Sequence, residues 1–104
     1  MNAWVYLVKA TNSNGLHKIG KTQNIERRMK ELKVLAVDRI CVIELPSSNV
    51  MNIVENEMHY KCKTRRIPQS EMFNLSAKDL KNCIETMLLI EKHFACTEVL
   101  EGSM

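Results

Sequence analysis

The chain has 104 residues, of which 45% are hydrophobic and 26% are charged. These values are ordinary for a globular protein, so they exclude disordered and fibrous classes, and the length fits one domain with a modest core. The formal net charge of +3 permits a polyanionic partner without requiring one. The apolar run at residues 4–8 is too short for a signal peptide or a membrane span. We therefore expect an intracellular protein, in the cytoplasm or nucleus, with no membrane partner.

The first two elements are predicted to form a β-hairpin. Residues 3–10 are rich in β-branched and aromatic side chains, and their alternation places Trp4 and Tyr6 on one face. The turn formers at 12–15 separate this strand from a second extended segment at 16–21. The two segments are therefore expected to pair as antiparallel strands.

An amphipathic helix is predicted directly after the hairpin. Ile25, Met29 and Leu32 recur at the spacing of one helical face. At 3.6 residues per turn, Arg28 lies about 60° from Ile25, whereas Arg27 lies about 160° away. Arg28 is thus expected to border the face that packs on the sheet, and Arg27 to point into solvent.

The rest of the chain predicts one more strand and two more helices. Residues 38–45 form a largely apolar strand, and a helix with an apolar face follows over 50–62. A short extended segment is predicted at 72–75, and a capping box at Ser76 begins the last helix. No repeat, linker or low-complexity tract suggests a second domain.

The chain has four widely spaced cysteines, Cys41, Cys62, Cys83 and Cys96. None forms a Cys-x-x-Cys pair and each lies among periodic apolar residues, which favours buried, reduced thiols. An alternative is a zinc site, because His59-x-x-Cys62 and His93-x-x-Cys96 repeat one spacing that places each His beside its Cys on a helix. On that interpretation the chain would be a zinc-stabilised interaction protein.

Five short segments carry the strongest functional signal: Trp4-Val5-Tyr6, Lys18-Ile19-Gly20 with Lys21-Thr22 after it, Arg28, Glu55-x-x-Met58-His59, and Glu71-Met72-Phe73. In this order and spacing the chain resembles the GIY-YIG nuclease superfamily, and more closely its branch found in phages, large DNA viruses and fungi. The resemblance implies an α/β fold of the α+β sandwich type, a small antiparallel sheet of about three strands flanked by helices. We expect one such domain over residues 1–96 and a frayed C-terminal tail over 97–104.

The resemblance implies a divalent-metal-dependent endonuclease, with DNA favoured over RNA as the substrate, although the sequence does not separate the two. Tyr6, assisted by Lys18, would orient or deprotonate the attacking water. Arg28 would stabilise charge on the phosphate, and Glu55 would hold one Mg²⁺ or Mn²⁺ ion. His59, one turn after Glu55, would support the metal ligand or transfer a proton.

Further cations are expected to contact phosphates that flank the reaction site. They are Lys21, Arg27, Lys61, Lys63, Arg65 and Arg66. With no second domain to supply affinity, target choice would come from a homodimer or from a targeting partner protein.

Two departures from the family motifs leave alternatives open. Trp4 replaces the first glycine and Lys18 replaces the second tyrosine, so Tyr6 is the one phenol left in the motifs. A lysine cation near Tyr6 would favour the phenolate and preserve activation of water, or it would mark a module that binds nucleic acid without cutting it. Without the resemblance, Tyr6 is a packing aromatic, Glu55 a surface charge, and the run 61–66 a solvated loop.

Overall fold

The structure, a computed structural model, describes residues 3–10, 16–34 and 37–102. Its elements in chain order are β1 (Trp4–Ala10), β2 (His17–Thr22), α1 (Ile25–Val34), β3 (Val37–Glu44), α2 (Ser48–Lys61), β4 (Met72–Phe73) and α3 (Ala77–Gly102), with a 3-10 turn at Lys63–Arg65. This confirms the predicted α+β fold. The antiparallel sheet has four strands in the described part of the chain, where about three were expected, because the short segment after α2 adds β4 to the edge.

The sheet has the strand order β3-β1-β2-β4, so β1 and β2 are its central strands. In the β1–β2 hairpin Tyr6 lies opposite Gly20, and on the other side of β1 it lies opposite Val42. The backbone N–H of Ala10 donates to the carbonyl of Leu16 at 2.8 Å, which closes the hairpin. The predicted turn at 12–15 lies outside the described residues.

The alternation of β1 divides the core between the two faces of the sheet. Tyr6 and Val8 are buried on one face, against Leu32 of α1. The larger core lies on the opposite face, where α2 and α3 pack, and it includes Val5, Leu7, Ile19, Met58 and Met87. Each strand residue therefore belongs to either the α1 face or the α2/α3 face, according to its register.

The outer edge of β2 is only partly covered. β4 pairs with β2 at His17 and Lys18 and no further, so no strand of the described chain pairs with the outer side of residues 19–22. This segment is called the open edge of β2 below. It lies at the end of the strand that holds the second sequence motif.

Side chains cap the helices that position the site. The carboxamide oxygen of Asn24 accepts from the backbone N–H of Arg27 at 3.0 Å, and this fixes the start of α1. At the start of α3, Ser76 and Asp79 exchange reciprocal bonds of 3.1 Å, which confirms the predicted capping box.

The last helix, α3, extends to Gly102, and residues 103 and 104 lie outside the described chain. The fraying expected from residue 97 stays a prediction. No helix among the described residues is long and apolar enough to cross a membrane.

Candidate functional site

The side chain of Tyr6 lies flat over Gly20 on the neighbouring strand. A β-carbon placed on Gly20 would lie 2.5 Å from Cζ of the Tyr6 ring and closer still to its hydroxyl oxygen. Only a residue without a side chain therefore permits this position of the ring. The phenol passes over β2 toward the open edge, although 99% of the residue is buried.

Arg28 of α1 meets the hydroxyl end of this buried phenol. Its Nε donates a hydrogen bond of 3.0 Å to the Tyr6 hydroxyl, and its Nη1 lies 3.0 Å from Oε2 of Glu31. The pKa of Arg28 is raised, chiefly by the hydrogen bond to Tyr6. This bond outweighs the partial burial of the guanidinium, which by itself would lower the pKa. The guanidinium is thus fixed in its charged form beside a phenol oxygen.

Arg27 and Arg28 have different surroundings, as the helical phase predicts. The side chain of Arg28 is 31% exposed and that of Arg27 is 74% exposed. The described contact of Arg27 is an ion pair of 3.6 Å with Glu31, on the same helix. Arg28 is therefore placed at the site and Arg27 at its solvent margin, while their roles in binding and turnover stay predictions.

Lys18 contacts Glu71, and no contact with Tyr6 is described. In the register Lys18 lies opposite Val8, on the same face as Tyr6, and its Nζ forms an ion pair of 3.2 Å with Glu71 just before β4. Lys18 stands in place of the motif tyrosine, and Glu71 is the acidic residue of the later motif. The two thus neutralise each other as an ion pair. The expected assistance of Tyr6 by Lys18 stays a prediction.

Glu55 lies on the opposite side of the open edge. It is a buried residue of α2, and its Oε1 is 3.5 Å from the Nζ of Lys21. Lys21 lies opposite Val5, which belongs to the α2/α3 face. Its Nζ also donates to the carboxamide oxygen of Asn52 at 2.9 Å. The predicted phosphate contact Lys21 is therefore the direct ion-pair partner of the predicted metal ligand.

His59 is bonded to the open edge itself. Its Nε2 lies 2.7 Å from the carbonyl oxygen of Ile19, the first residue beyond the pairing with β4, so Nε2 must carry the proton and donate. The ring also packs against Phe73, with centroids 5.1 Å apart. The second ring nitrogen, Nδ1, is thereby left as the atom able to exchange a proton with a neighbour.

Four of the predicted site residues surround one short stretch of backbone. Tyr6 and Arg28 approach the open edge from the α1 face, and Glu55 approaches it from the α2/α3 face, with His59 bonded to its first carbonyl. Lys18 lies one residue before this edge. The arrangement thus places a buried phenol with its guanidinium partner on one face of this edge, and a buried carboxylate on the other face.

Glu55 brings a single carboxylate to this position, where it pairs with Lys21. Among the described residues, no group of three or more His, Cys, Asp or Glu side chains comes together. Mg²⁺ tolerates one protein carboxylate with water and phosphate oxygens, because it gives up water reluctantly. The Lys21 ammonium shows that Glu55 binds a cation in this position, and a metal ion would compete with it.

The basic residues at the end of α2 and just after it mostly have interaction partners within the chain. Nε of Arg65 lies 3.1 Å from Asp79, and Nε of Arg66 donates to the carbonyl of Ser70 at 2.7 Å. Lys63 lies over the ring of Tyr60, with Nζ 4.3 Å from the centroid. Lys61 is exposed. Phosphate binding by these four residues stays a prediction.

The cysteines do not form the alternative zinc site in the described chain. Cys41, Cys62 and Cys83 are buried free thiols, as predicted, and the sulfurs of Cys62 and Cys83 are 3.2 Å apart. Donation from the Cys83 thiol lowers the pKa of Cys62. His59, the expected partner of Cys62 in zinc binding, is engaged with the Ile19 carbonyl, and the side chain of Cys96 lies outside the described residues.

Sequence reasoning missed His17, at the start of β2. It is 95% buried, and neither ring nitrogen has a hydrogen-bond partner within the described chain. Burial, and to a lesser degree the charge of Lys9, lower its pKa below the ordinary value of 6.5. Its place opposite Lys9 gave no sign of burial, because its other neighbour in the sheet, Phe73 of β4, lies 56 positions later in the chain.

The family comparison covers most of the chain. Residues 3–88 match the model of the T5orf172 domain. This match includes every element from β1 to β4 and the first half of α3. No curated protein and no solved structure matches the chain.

Proposed function

Because the chain belongs to the T5orf172 domain family, whose association with nucleases indicates a nucleic-acid-related role, we propose that it is a divalent-metal-dependent endonuclease of the GIY-YIG type. Its substrate would be a phosphodiester bond, in DNA rather than RNA. The observation that carries the proposal is the hydrogen bond from Arg28 to Tyr6 over Gly20, beside an edge of the sheet that no described strand covers.

Tyr6 is suited to activate or orient water. Its oxygen accepts the bond from Arg28, which stabilises negative charge on that oxygen and fixes its direction. Because Arg28 already holds the buried phenol in position, the free-energy cost of reorganising its surroundings during proton transfer is small. Such preorganisation is a large part of catalysis at polar sites. Tyr6, in its phenolate form, is therefore the group proposed to accept a proton from the attacking water, becoming the neutral phenol.

Arg28 is suited to act on the phosphate as well as on Tyr6. A guanidinium has five N–H donors in a planar fork, and the described bonds to Tyr6 and Glu31 leave others available. These would donate to the non-bridging oxygens, on which charge grows as water attacks.

Glu55 is the residue that would hold Mg²⁺ or Mn²⁺, and the ion would supply charge neutralisation at the phosphate and leaving oxygen. Lys21, which pairs with Glu55 in the structure, would then turn toward a substrate phosphate. His59 would keep its Nε2 bonded to the carbonyl of Ile19, and in its doubly protonated form it would give the Nδ1 proton to the leaving oxygen.

A second candidate function is binding without cleavage. The ion pairs Lys18–Glu71 and Lys21–Glu55 favour it, because they neutralise both the residue that replaces the motif tyrosine and the expected metal ligand. In either case, target choice would come from self-association or from a separate targeting protein.

The test is incubation of the purified protein with supercoiled plasmid, with Mg²⁺, with Mn²⁺ and with a chelator. We expect relaxed and linear products only with a divalent ion. The matched control is Tyr6→Phe, which keeps the ring over Gly20 and removes only the hydroxyl, and it should lose nearly all turnover. Salt-sensitive binding with no cleavage under any of these conditions would select the binding module instead.

A further inference from the structure

A cavity adjoins the proposed site on the α1 face and is not used by the proposed chemistry. It has a volume of about 270 Å³ and is lined by Trp4, Gln23, Asn24, Ile25 and Glu26. A water molecule occupies about 30 Å³ of liquid, so the cavity is much larger than a niche for one ordered water. Its lining is unlike that of the phosphate site, since it contains no lysine or arginine.

The cavity is fixed in position relative to Tyr6 and Arg28. Trp4 lies two residues before Tyr6 on β1 and therefore on the same face, about 7 Å away along the strand. Asn24 precedes Arg28 by one helical turn, and the two are joined by a backbone hydrogen bond of 3.0 Å. A group in the cavity thus lies about one nucleotide from a phosphate at Arg28.

The lining residues suit a nucleobase better than a phosphate. Trp4 is half-buried, so one side of the indole can be covered by the protein while the rest remains available for stacking. Gln23 and Glu26 are exposed, and their side chains make no described hydrogen bond or ion pair. The carboxamide oxygen of Asn24 is occupied by the cap of α1, which leaves its NH₂ group to donate.

The charge of the lining separates the two ligand classes further. The Glu26 carboxylate would repel a phosphate, but it can accept from the amino group of a base, and amide side chains pair with base edges. Aromatic side chains stack on bases that are out of a duplex. A base within a duplex is covered by its neighbours and cannot enter such a cavity without being flipped out.

We propose that Trp4 and this cavity hold an unpaired nucleobase next to the scissile phosphodiester, so that the substrate of this chain is a single-stranded or otherwise unpaired stretch of nucleic acid. The inference rests on the proposed function for its position beside the scissile bond. It goes further by naming the strand state of the substrate and the residue that selects it.

Trp4 is the single tryptophan of the chain, so the intrinsic tryptophan fluorescence reports on this cavity alone. The probes are a short single-stranded DNA of mixed sequence, the blunt duplex that it forms with its complement, and the same single strand with abasic sites throughout. All are titrated in the presence of a chelator, so that nothing is cut. We expect saturable quenching by the single strand, and much weaker quenching by the duplex and by the abasic strand at matched phosphate concentration.

Variants give an independent readout through affinity for the single strand. Trp4→Leu should bind it about 5- to 100-fold more weakly, the range expected for loss of one stacked base, and Trp4→Phe should stay within a few-fold of the unmodified protein. The matched control is Leu89→Ala, which removes an exposed apolar side chain from α3, outside the lining of the cavity. It should leave the affinity unchanged.

The two proposals fail in different ways. Equal quenching by all three DNAs, or binding without any change in fluorescence, overturns the base cavity even if the plasmid is cut. Quenching specific to the single strand with no cleavage under any metal condition overturns turnover and leaves the base cavity standing. If Trp4→Leu does not fold, the fluorescence titration of the unmodified protein still decides the question.

Discussion

The ring of Tyr6 occupies the space that a side chain on Gly20 would need. Tyr6, the last residue of the first motif, can therefore reach Arg28 only because the second motif ends in glycine. The two residues are direct partners in the β1–β2 register. Their relationship links the two motifs through packing, and it explains why the second motif needs a residue without a β-carbon at a position with no unusual backbone conformation.

Gly20→Ala should therefore displace the Tyr6 ring. Overpacking of a buried site typically costs about 1–3 kcal/mol, and we expect a loss of unfolding free energy in this range, together with loss of most cleavage. Urea denaturation measures the first and plasmid cleavage the second. In a Tyr6→Leu background, which removes the overlapping atoms, Gly20→Ala should cost much less stability. Equal costs in the two backgrounds would show that the Tyr6 ring is not the obstacle.

Arg28→Ala should lower the cleavage rate by roughly 10²- to 10³-fold, a typical loss for one preorganised donor at a reacting oxygen. Arg27→Ala is the matched control on the same helix, with its side chain in solvent, and it should weaken binding without a comparable loss of rate. Single-turnover cleavage at saturating protein separates the two effects. Similar rate losses in both variants would contradict the assigned role of Arg28.

Lys21 should compete with the divalent ion for Glu55, since both cations neutralise the same carboxylate. Lys21→Met should therefore bind Mg²⁺ more tightly, and its melting temperature should rise more with added Mg²⁺ than that of the unmodified protein. Binding that saturates at 100 times Kd stabilises the fold by about 2.7 kcal/mol. Glu55→Gln should show no rise and no cleavage, with DNA binding largely kept. A rise with Mg²⁺ in Glu55→Gln would place the ion elsewhere.

His17 should make the fold sensitive to acid. Its pKa is lowered in the folded protein, so below about pH 6.5 the unfolded chain binds a proton that the folded chain resists. The unfolding free energy should thus be intact above this pH and fall as the pH is lowered through the folded pKa.

The variant His17→Leu removes both the titration and the unpartnered nitrogens. It should flatten the acid limb of the stability profile between pH 7 and the folded pKa, as measured by urea denaturation across pH. His93→Leu, on the exposed side of α3, is the matched control and should keep the limb. An unchanged limb in His17→Leu would assign the acid sensitivity to other groups.

The sequence was sufficient where the relevant contacts are local. The alternation of β1 and the phase of α1 predicted which side chains share a face, and Tyr6 and Arg28 do meet. The pairing of β2 with β4 depends on a segment about 50 residues further along the chain, and hydrophobic periodicity cannot detect a contact at that distance. The contacts Lys18–Glu71 and His17–Phe73 follow from that pairing, so they were not predicted.

The second group of unpredicted contacts involves the end of β2 and α2. Lys21 was expected to contact phosphate, and its pairing with Glu55 depends on how α2 packs across the sheet. His59 was placed correctly one turn after Glu55, but its bond to the Ile19 carbonyl needs that same packing. The family resemblance names these residues as candidates, a prediction that stays open, and the tertiary structure describes what each of them contacts.

The short length of β4 has a further consequence for self-association. Unpaired backbone groups at the edge of a sheet are templates for strand addition by another molecule, and natural proteins discourage it with charged side chains, lysine above all. On the open edge of β2 the exposed charge is Lys21, and His59 already occupies the carbonyl of Ile19. The residues that we place at the reaction site thus also protect this edge from sheet-to-sheet aggregation, so replacing Lys21 with an apolar residue will reduce solubility as well as alter metal binding.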